Sequence, residues 1–233
     1  MPGSGPSRTG PEPRPAFGAG GQGPDTAAGY DRVAAEYARR IAGELAGKPF
    51  DRALLDRFAD QTRGRGTVAD LGCGPGHIAA YLHARGVEVV GIDLSPGMVE
   101  QARRLYPEIG FRQGDMRALD APDGAFAGAV AFYSIIHLPA AERPATFAEL
   151  ARVLGPGAPL LVAFHVGDHT VHVDQLWDHQ VSLDFTFLPT AVVAAELEGA
   201  GLAVEEALER DPYAPEVEHQ SRRAYLLARR REP

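Results

Sequence analysis

From residue 67 to residue 165 the chain alternates short apolar runs with stretches in which apolar residues return every three or four positions. Thr67, Val68, Ala69 and Leu71, then VEVVGID, IGFRQ, GAVAFY and PLLVAFH, lack the in-and-out alternation of a half-exposed strand. They read as strands buried on both faces. Between them, HIAAYLHA, LSPGMVEQA and AAERPATFAELARVL read as helices. The last carries Phe147, Leu150 and Leu154 on one stripe and ends at Gly155-Pro156, where glycine can take the left-handed cap and proline cannot continue. Five strands alternating with helices specify an α/β fold, a doubly wound sheet with helices on both faces.

The flanks have other periods. Upstream, YDRVAAEYARRIAGEL sets Val33, Tyr37 and Ile41 on one helical face, and a second helix at 50–59 carries Leu54, Leu55 and Phe58. Past His165 the period falls to two. Val181, Leu183, Phe185 and Phe187 alternate with polar residues, as do Val171 and Val173, so an inserted β-hairpin is expected at about 168–188. A helix at PTAVVAAELEGAG and strands at LAVEEALER and RRAYLLARR close the chain.

Composition narrows this picture. Residues 1–28 are dense in glycine and proline with almost no large apolar side chain, and are expected to be disordered. The remaining 29–233 read as a single domain with cap helices at 29–62, because 233 residues at 45% apolar fill one core well. A net charge of −8 argues against a nucleic-acid partner, which needs a basic face. No long apolar run or leader-like pattern is present, so no membrane partner is expected and the location reads as cytoplasmic. A small-molecule substrate fits this balance; a homodimer is left open.

The chemistry gathers at TVADLGCGPG, residues 67–76, a buried strand that ends in Asp70 and breaks into a glycine-rich turn before a helix. Glycines there let the backbone turn sharply and approach a ligand, and the helix start presents free N–H groups. A dinucleotide fingerprint wants a small residue at its third glycine place, which His77 occupies. Asp93 ends the second strand about twenty residues on, where such folds place an acid on ribose hydroxyls. Ser95 is the better cap for the next helix and leaves Asp93 free.

The pattern D-x-G-x-G-x-G from Asp70, with Asp93 and the GDM segment after the third strand, resembles the class I S-adenosylmethionine-dependent methyltransferases over about residues 30–230. The resemblance implies a mostly parallel seven-stranded sheet with an antiparallel last strand. It implies S-adenosyl-L-methionine as cofactor, held by Gly72, Cys73, Gly74, Leu94, Gly114 and Phe132 along the strand ends. Asp93 would take the ribose, Met98 the adenine face, and Asp115 and Met116 the adenine edge, with Asp70 serving the amino end. Tyr30 and Tyr37, in a Y-D-x-x-A-x-x-Y helix, would cap the pocket. Ala127 departs from the family, which has an acid at the start of the fourth strand. The reaction implied is in-line transfer of the methyl to a small-molecule oxygen or nitrogen, chiefly through alignment and exclusion of water.

A base is optional for that chemistry. His137, after the fourth strand, and His165, at the tip of the fifth, are the catalytic candidates, since a neutral imidazole can take a proton near pH 7. His165, Asp168, His169, His172 and Asp174 do not fall at a metal-ligand spacing, so no metal is expected. Trp177 at the hairpin turn is a lid candidate. Two rival readings share the fold: an NAD(P)-dependent oxidoreductase and a non-catalytic S-adenosylmethionine binder.

Overall fold

A computed structural model describes residues 25–232. The first 24 residues of the segment expected to be disordered lie outside it. The first helix, α1, runs over Thr26–Ile41, four residues earlier than the aromatic pattern suggested, because the Asp25 side chain accepts from the Ala28 N–H and caps it. A short 3-10 turn at Glu44–Gly47 leads to α2 at Pro49–Thr62.

The body then follows the sequence pattern. Strands β1 (Val68–Leu71), β2 (Val89–Asp93), β3 (Gly110–Gln113), β4 (Gly128–Phe132) and β5 (Pro159–His165) alternate with helices α3 (His77–His83), α4 (Pro96–Leu105) and α5 (Arg143–Val153). The hairpin strands β6 (His169–Leu176) and β7 (His179–Phe187) precede α6 (Thr190–Gly199), β8 (Leu202–Arg210) and β9 (Arg223–Arg230). The main sheet has seven strands in the order β3-β2-β1-β4-β5-β9-β8, and β6-β7 form a separate pair. All neighbours from β3 to β5 are parallel; β9 runs antiparallel to both its neighbours.

Strand side chains point alternately to the two faces, and the sequence supplies apolar residues for both. Ala69, Leu71, Ala129, Leu160 and Val162 pack with Phe147 and Leu150 of α5 and Val193 and Leu197 of α6. Val68, Val130, Leu161 and Ala163 pack with Phe58 of α2, Ile78 and Leu82 of α3 and Val99 of α4. The strand order reverses between β1 and β4, and the carboxyl ends of these strands open a crevice, the place where such sheets bind ligands.

A third, smaller cluster forms the roof. Val33 of α1 packs with Val181 and Leu183 of β7, flanked by Tyr30, Tyr37, Trp177 and Phe185. A Cβ on Gly29 would come within 2.6 Å of Leu183 Cδ2, so α1 and the hairpin meet without room for a side chain. Trp177, at φ 53 in the turn, faces Arg40 and the Tyr37 ring, 5.9 Å between centroids, on the outer side of this roof.

Below the crevice lies a buried ionic cluster. Asp51 of α2 accepts from the Tyr225 hydroxyl at 2.9 Å and from Arg210 Nη2 at 2.9 Å, and Glu218 bonds both Arg210 and Arg223. It ties the N-terminal helices to β8 and β9. Asp51→Ala would take one of two carboxylates from Arg210, which keeps Glu218, and the acceptor from the Tyr225 hydroxyl; a lost hydrogen bond to a charged group costs about 1.5–3 kcal/mol. A loss of that size is expected in chemical denaturation; an unchanged midpoint would show that the cluster is not structural.

Candidate active site

The crevice encloses about 980 Å³ out to its mouth and is walled by the β1–α3 loop, the ends of β2, β3 and β4, and the roof residues Tyr30 and Tyr37. The glycine loop is held by two carboxylates. Asp93 Oδ2 accepts from the Gly74 N–H at 2.7 Å, while its Oδ1 accepts from the Ser95 N–H at 2.8 Å. Each oxygen keeps a lone pair, so the group can still receive a vicinal diol. Burial raises the Asp93 pKa, against the backbone N–H bonds that lower it. Gly72, Gly74 and Gly76 all have positive φ. A Cβ on Gly76 would strike Phe111 at 2.6 Å, whereas on Gly74 it would meet only Tyr37 Cε1 at 4.0 Å, because that side of the loop faces the crevice.

The structure brings together Tyr30, Tyr37, Gly72, Cys73, Gly74, Asp93, Leu94, Met98, Gly114, Asp115, Met116, Phe132 and His137 on one wall system. Two expected site residues stand elsewhere. Asp70 is fully buried one layer behind the loop, where its Oδ2 accepts from the Ala79 N–H at 3.0 Å and ties α3 to β1. It is not on the crevice wall. Burial raises its pKa to about 7, the nearby His77 and the Ala79 bond opposing that rise. His165 sits behind Tyr133, with ring centroids 5.0 Å apart, and its Nδ1 meets Ser221 Oγ at 2.8 Å. It too does not reach the wall, because the Tyr133 ring lies between. Burial, with Arg223 and His219 beside it, pushes the His165 pKa down to about 3.

His137 has a defined tautomer. Its Nδ1 lies 2.8 Å from the Asp184 carbonyl oxygen, which can only accept, so Nδ1 carries the proton. Nε2 is then bare and takes the Tyr30 hydroxyl proton at 2.8 Å. Burial pulls the His137 pKa down to about 4, against the bond to Asp184. The hairpin therefore acts on the site through a backbone carbonyl and the Phe185 ring, 5.1 Å from His137, and not through Trp177.

Sequence patterns alone did not show Ser134 on the wall, or the contacts that hold several of the named residues. Asp115 lines the crevice, but both of its oxygens bond Arg117, whose Nη1 also reaches Glu142 at 2.7 Å. Ser134 donates to the Leu71 carbonyl at 2.8 Å, just after Tyr133 takes φ 54, a left-handed backbone that a bulky residue adopts only when its surroundings enforce it. Asp31 accepts from Gly97 N at 2.8 Å and from the Ser95 hydroxyl, pinning α1 to α4. The Tyr-Asp pair was the only local hint of that. Cys73 is buried, and burial raises its thiol pKa, so it is wall and not nucleophile.

Fold and crevice define a Rossmann-like nucleotide-binding unit of the methyltransferase type. Residues 68–157 match a methyltransferase domain family. The chain is 42% identical over 100 residues to trans-aconitate 2-methyltransferase of Methylobacterium nodulans, covering 41% of this chain and 36% of that one. It is 33% identical over 143 residues to demethylmenaquinone methyltransferase of Beutenbergia cavernae, covering 60% and 57%. In structure it is similar to a methyltransferase from Methanosarcina mazei, with TM-score 0.67 and 16% identity over 75% of this chain and 96% of that one. The chain thus spans between about a third and rather more than half of these curated relatives. Residues 68–157 thus match a methyltransferase domain, on a fold shared with S-adenosylmethionine-dependent methyltransferases, in agreement with the resemblance carried by the sequence motifs.

The crevice fits that cofactor: Gly74 leaves its loop open, Asp93 retains acceptor capacity, and the buried His77 Nδ1 has no partner among the described residues. Among the same residues no helix is long and apolar enough to cross a membrane.

The position of Asp70 makes a prediction with a definite sign. A carboxyl whose folded pKa is raised binds more protons in the native state, so its contribution to stability is lost as pH rises. Relative to the wild type, Asp70→Asn, which can still accept from Ala79, is expected to gain stability as pH rises from about 4 to about 7, the interval between the ordinary carboxyl pKa and its own. Denaturation curves across that range check it; a constant difference would place Asp70 in contact with solvent.

Proposed function

We propose that the chain methylates a small molecule through a protic group, a hydroxyl first and an amine second, and that the Tyr30–His137 pair takes the proton. When bound, S-adenosylmethionine supplies a methyl already activated by its sulfonium. The protein's remaining work is to align the acceptor, exclude water and dispose of one proton. The observation that carries the reading is the Tyr30 hydroxyl bonded to a bare His137 Nε2 on the crevice wall, with Nδ1 fixed by Asp184.

Tyr30 donates its only proton to His137, so its oxygen can accept from an acceptor O–H. An acceptor hydroxyl that took the methyl, with the sulfur keeping the pair of the broken S–C bond, would hold a strongly acidic proton. That proton then passes to the Tyr30 oxygen while the Tyr30 proton moves to Nε2, leaving an imidazolium. A base with a pKa of about 4 suffices for so late a transfer, and it is unprotonated throughout the neutral range. The roof of Val33, Val181 and Leu183 keeps water from this pair. The relatives support the class of reaction, since those compared are named as methyltransferases.

The test is transfer from labelled S-adenosylmethionine to a panel of hydroxylated, carboxylated and amino acceptors, read as a labelled product of higher mass. Binding without transfer to any acceptor would favour the non-catalytic reading. With an active hydroxyl acceptor, Tyr30→Phe and His137→Phe are each expected to lower kcat by roughly 10²–10⁴. Because the base loses function only as pH falls through about 4, kcat/KM is expected to lack the acid limb near 6.5 that an ordinary histidine gives. Such a limb in the pH–rate profile would remove His137 from the role.

A further inference from the structure

One buried polar atom on the crevice wall is left without a partner among the described residues: Nδ1 of His77. The other ring nitrogen is committed. Nε2 lies 3.0 Å from Glu44 Oε1, and Glu44 Oε2 receives Lys48 Nζ at 2.6 Å. Burial raises the Glu44 pKa, but its bonds to His77 and Lys48 and the Lys48 charge outweigh it and leave it at about 2. Glu44 is therefore an acceptor, and Nε2 carries the proton that it receives. Nδ1 then presents a lone pair, and a buried acceptor left unpaired is costly.

A bare acceptor calls for a donor. On the cofactor reading above, on which this inference rests, the donors available are the adenine amino group, the ribose hydroxyls and the α-ammonium. The first belongs to the side of Asp115 and Met116, after β3, and the second to Asp93, at the end of β2. His77 stands at the start of α3, on the β1 side of the crevice, joined to the cap segment through Glu44. Asp70, the acid expected at the amino end, is buried against Ala79 and does not line the crevice. We propose that His77 takes its place, Nδ1 accepting a hydrogen bond from the α-ammonium of the bound cofactor, with Glu44 and Lys48 as positioning residues that fix its ring.

Three ligands separate the contacts: S-adenosylhomocysteine, its decarboxylated analogue, which keeps the amine, and methylthioadenosine, which lacks the whole amino-acid end. Their dissociation constants are measured by calorimetry on the wild type and on His77→Phe. The substitution is expected to weaken the first two by roughly tenfold to a hundredfold, the range for a hydrogen bond to a charged group, and to leave methylthioadenosine unchanged. Unchanged binding of methylthioadenosine also shows that the variant folds. Equal loss for all three ligands would make His77 merely structural. Loss confined to S-adenosylhomocysteine would assign it to the carboxylate, and no loss would leave it without a ligand contact; each of these overturns the proposal. Failure of the wild type to bind S-adenosylhomocysteine at all would instead overturn the cofactor reading beneath it.

Discussion

The site depends on two buried carboxylates pulling one glycine loop in two directions. Asp70 draws the Ala79 amide, and with it helix α3, onto the end of β1; Asp93 draws the Gly74 amide toward the end of β2. Between these anchors the loop runs with positive φ at Gly72, Gly74 and Gly76, which side chains disfavour. Packing reinforces the constraint, since a Cβ would collide with Ser134 at Gly72 and with Phe111 at Gly76. A rigid rim results, facing a crevice from which most side chains have been removed.

The roof meets that rim by equally specific contacts. Asp31 ties α1 to the start of α4, and Gly29 lets α1 sit directly on Leu183 of the hairpin. Tyr30 is thereby held over His137, while the hairpin sends the Asp184 carbonyl to the other side of the same ring. Three distant segments thus fix one tautomer. Burial then favours the neutral imidazole over the imidazolium.

Much of this was legible in the chain. Buried strands alternating with amphipathic helices gave the sheet, and period-two alternation gave the hairpin, because both signals are local and follow from side-chain direction. Most of the crevice wall could be named from the family resemblance that the motifs carry, since it lies at strand ends that the alternation locates. Asp70 and His165 could not be placed this way. Each stands at a strand terminus, as Asp93 does, but which way a side chain turns there depends on what packs beside it: Ala79 in one case, the Tyr133 ring in the other. The extra turn of α1 was missed because a lone Asp25 cap in a glycine-rich stretch gives little signal.

The sequence by itself therefore determined the class of fold, the glycine rim and the order of the acids along the strand ends, all consequences of periodicity and backbone freedom. Only the tertiary structure decided the partners: Tyr30 with His137 across 107 positions, Glu44 with His77 across 33, and Arg117 over the Asp115 carboxylate in preference to open solvent. Those pairings settle protonation and hydrogen-bond direction. Both are properties of neighbours in space, and no local pattern in the chain encodes them.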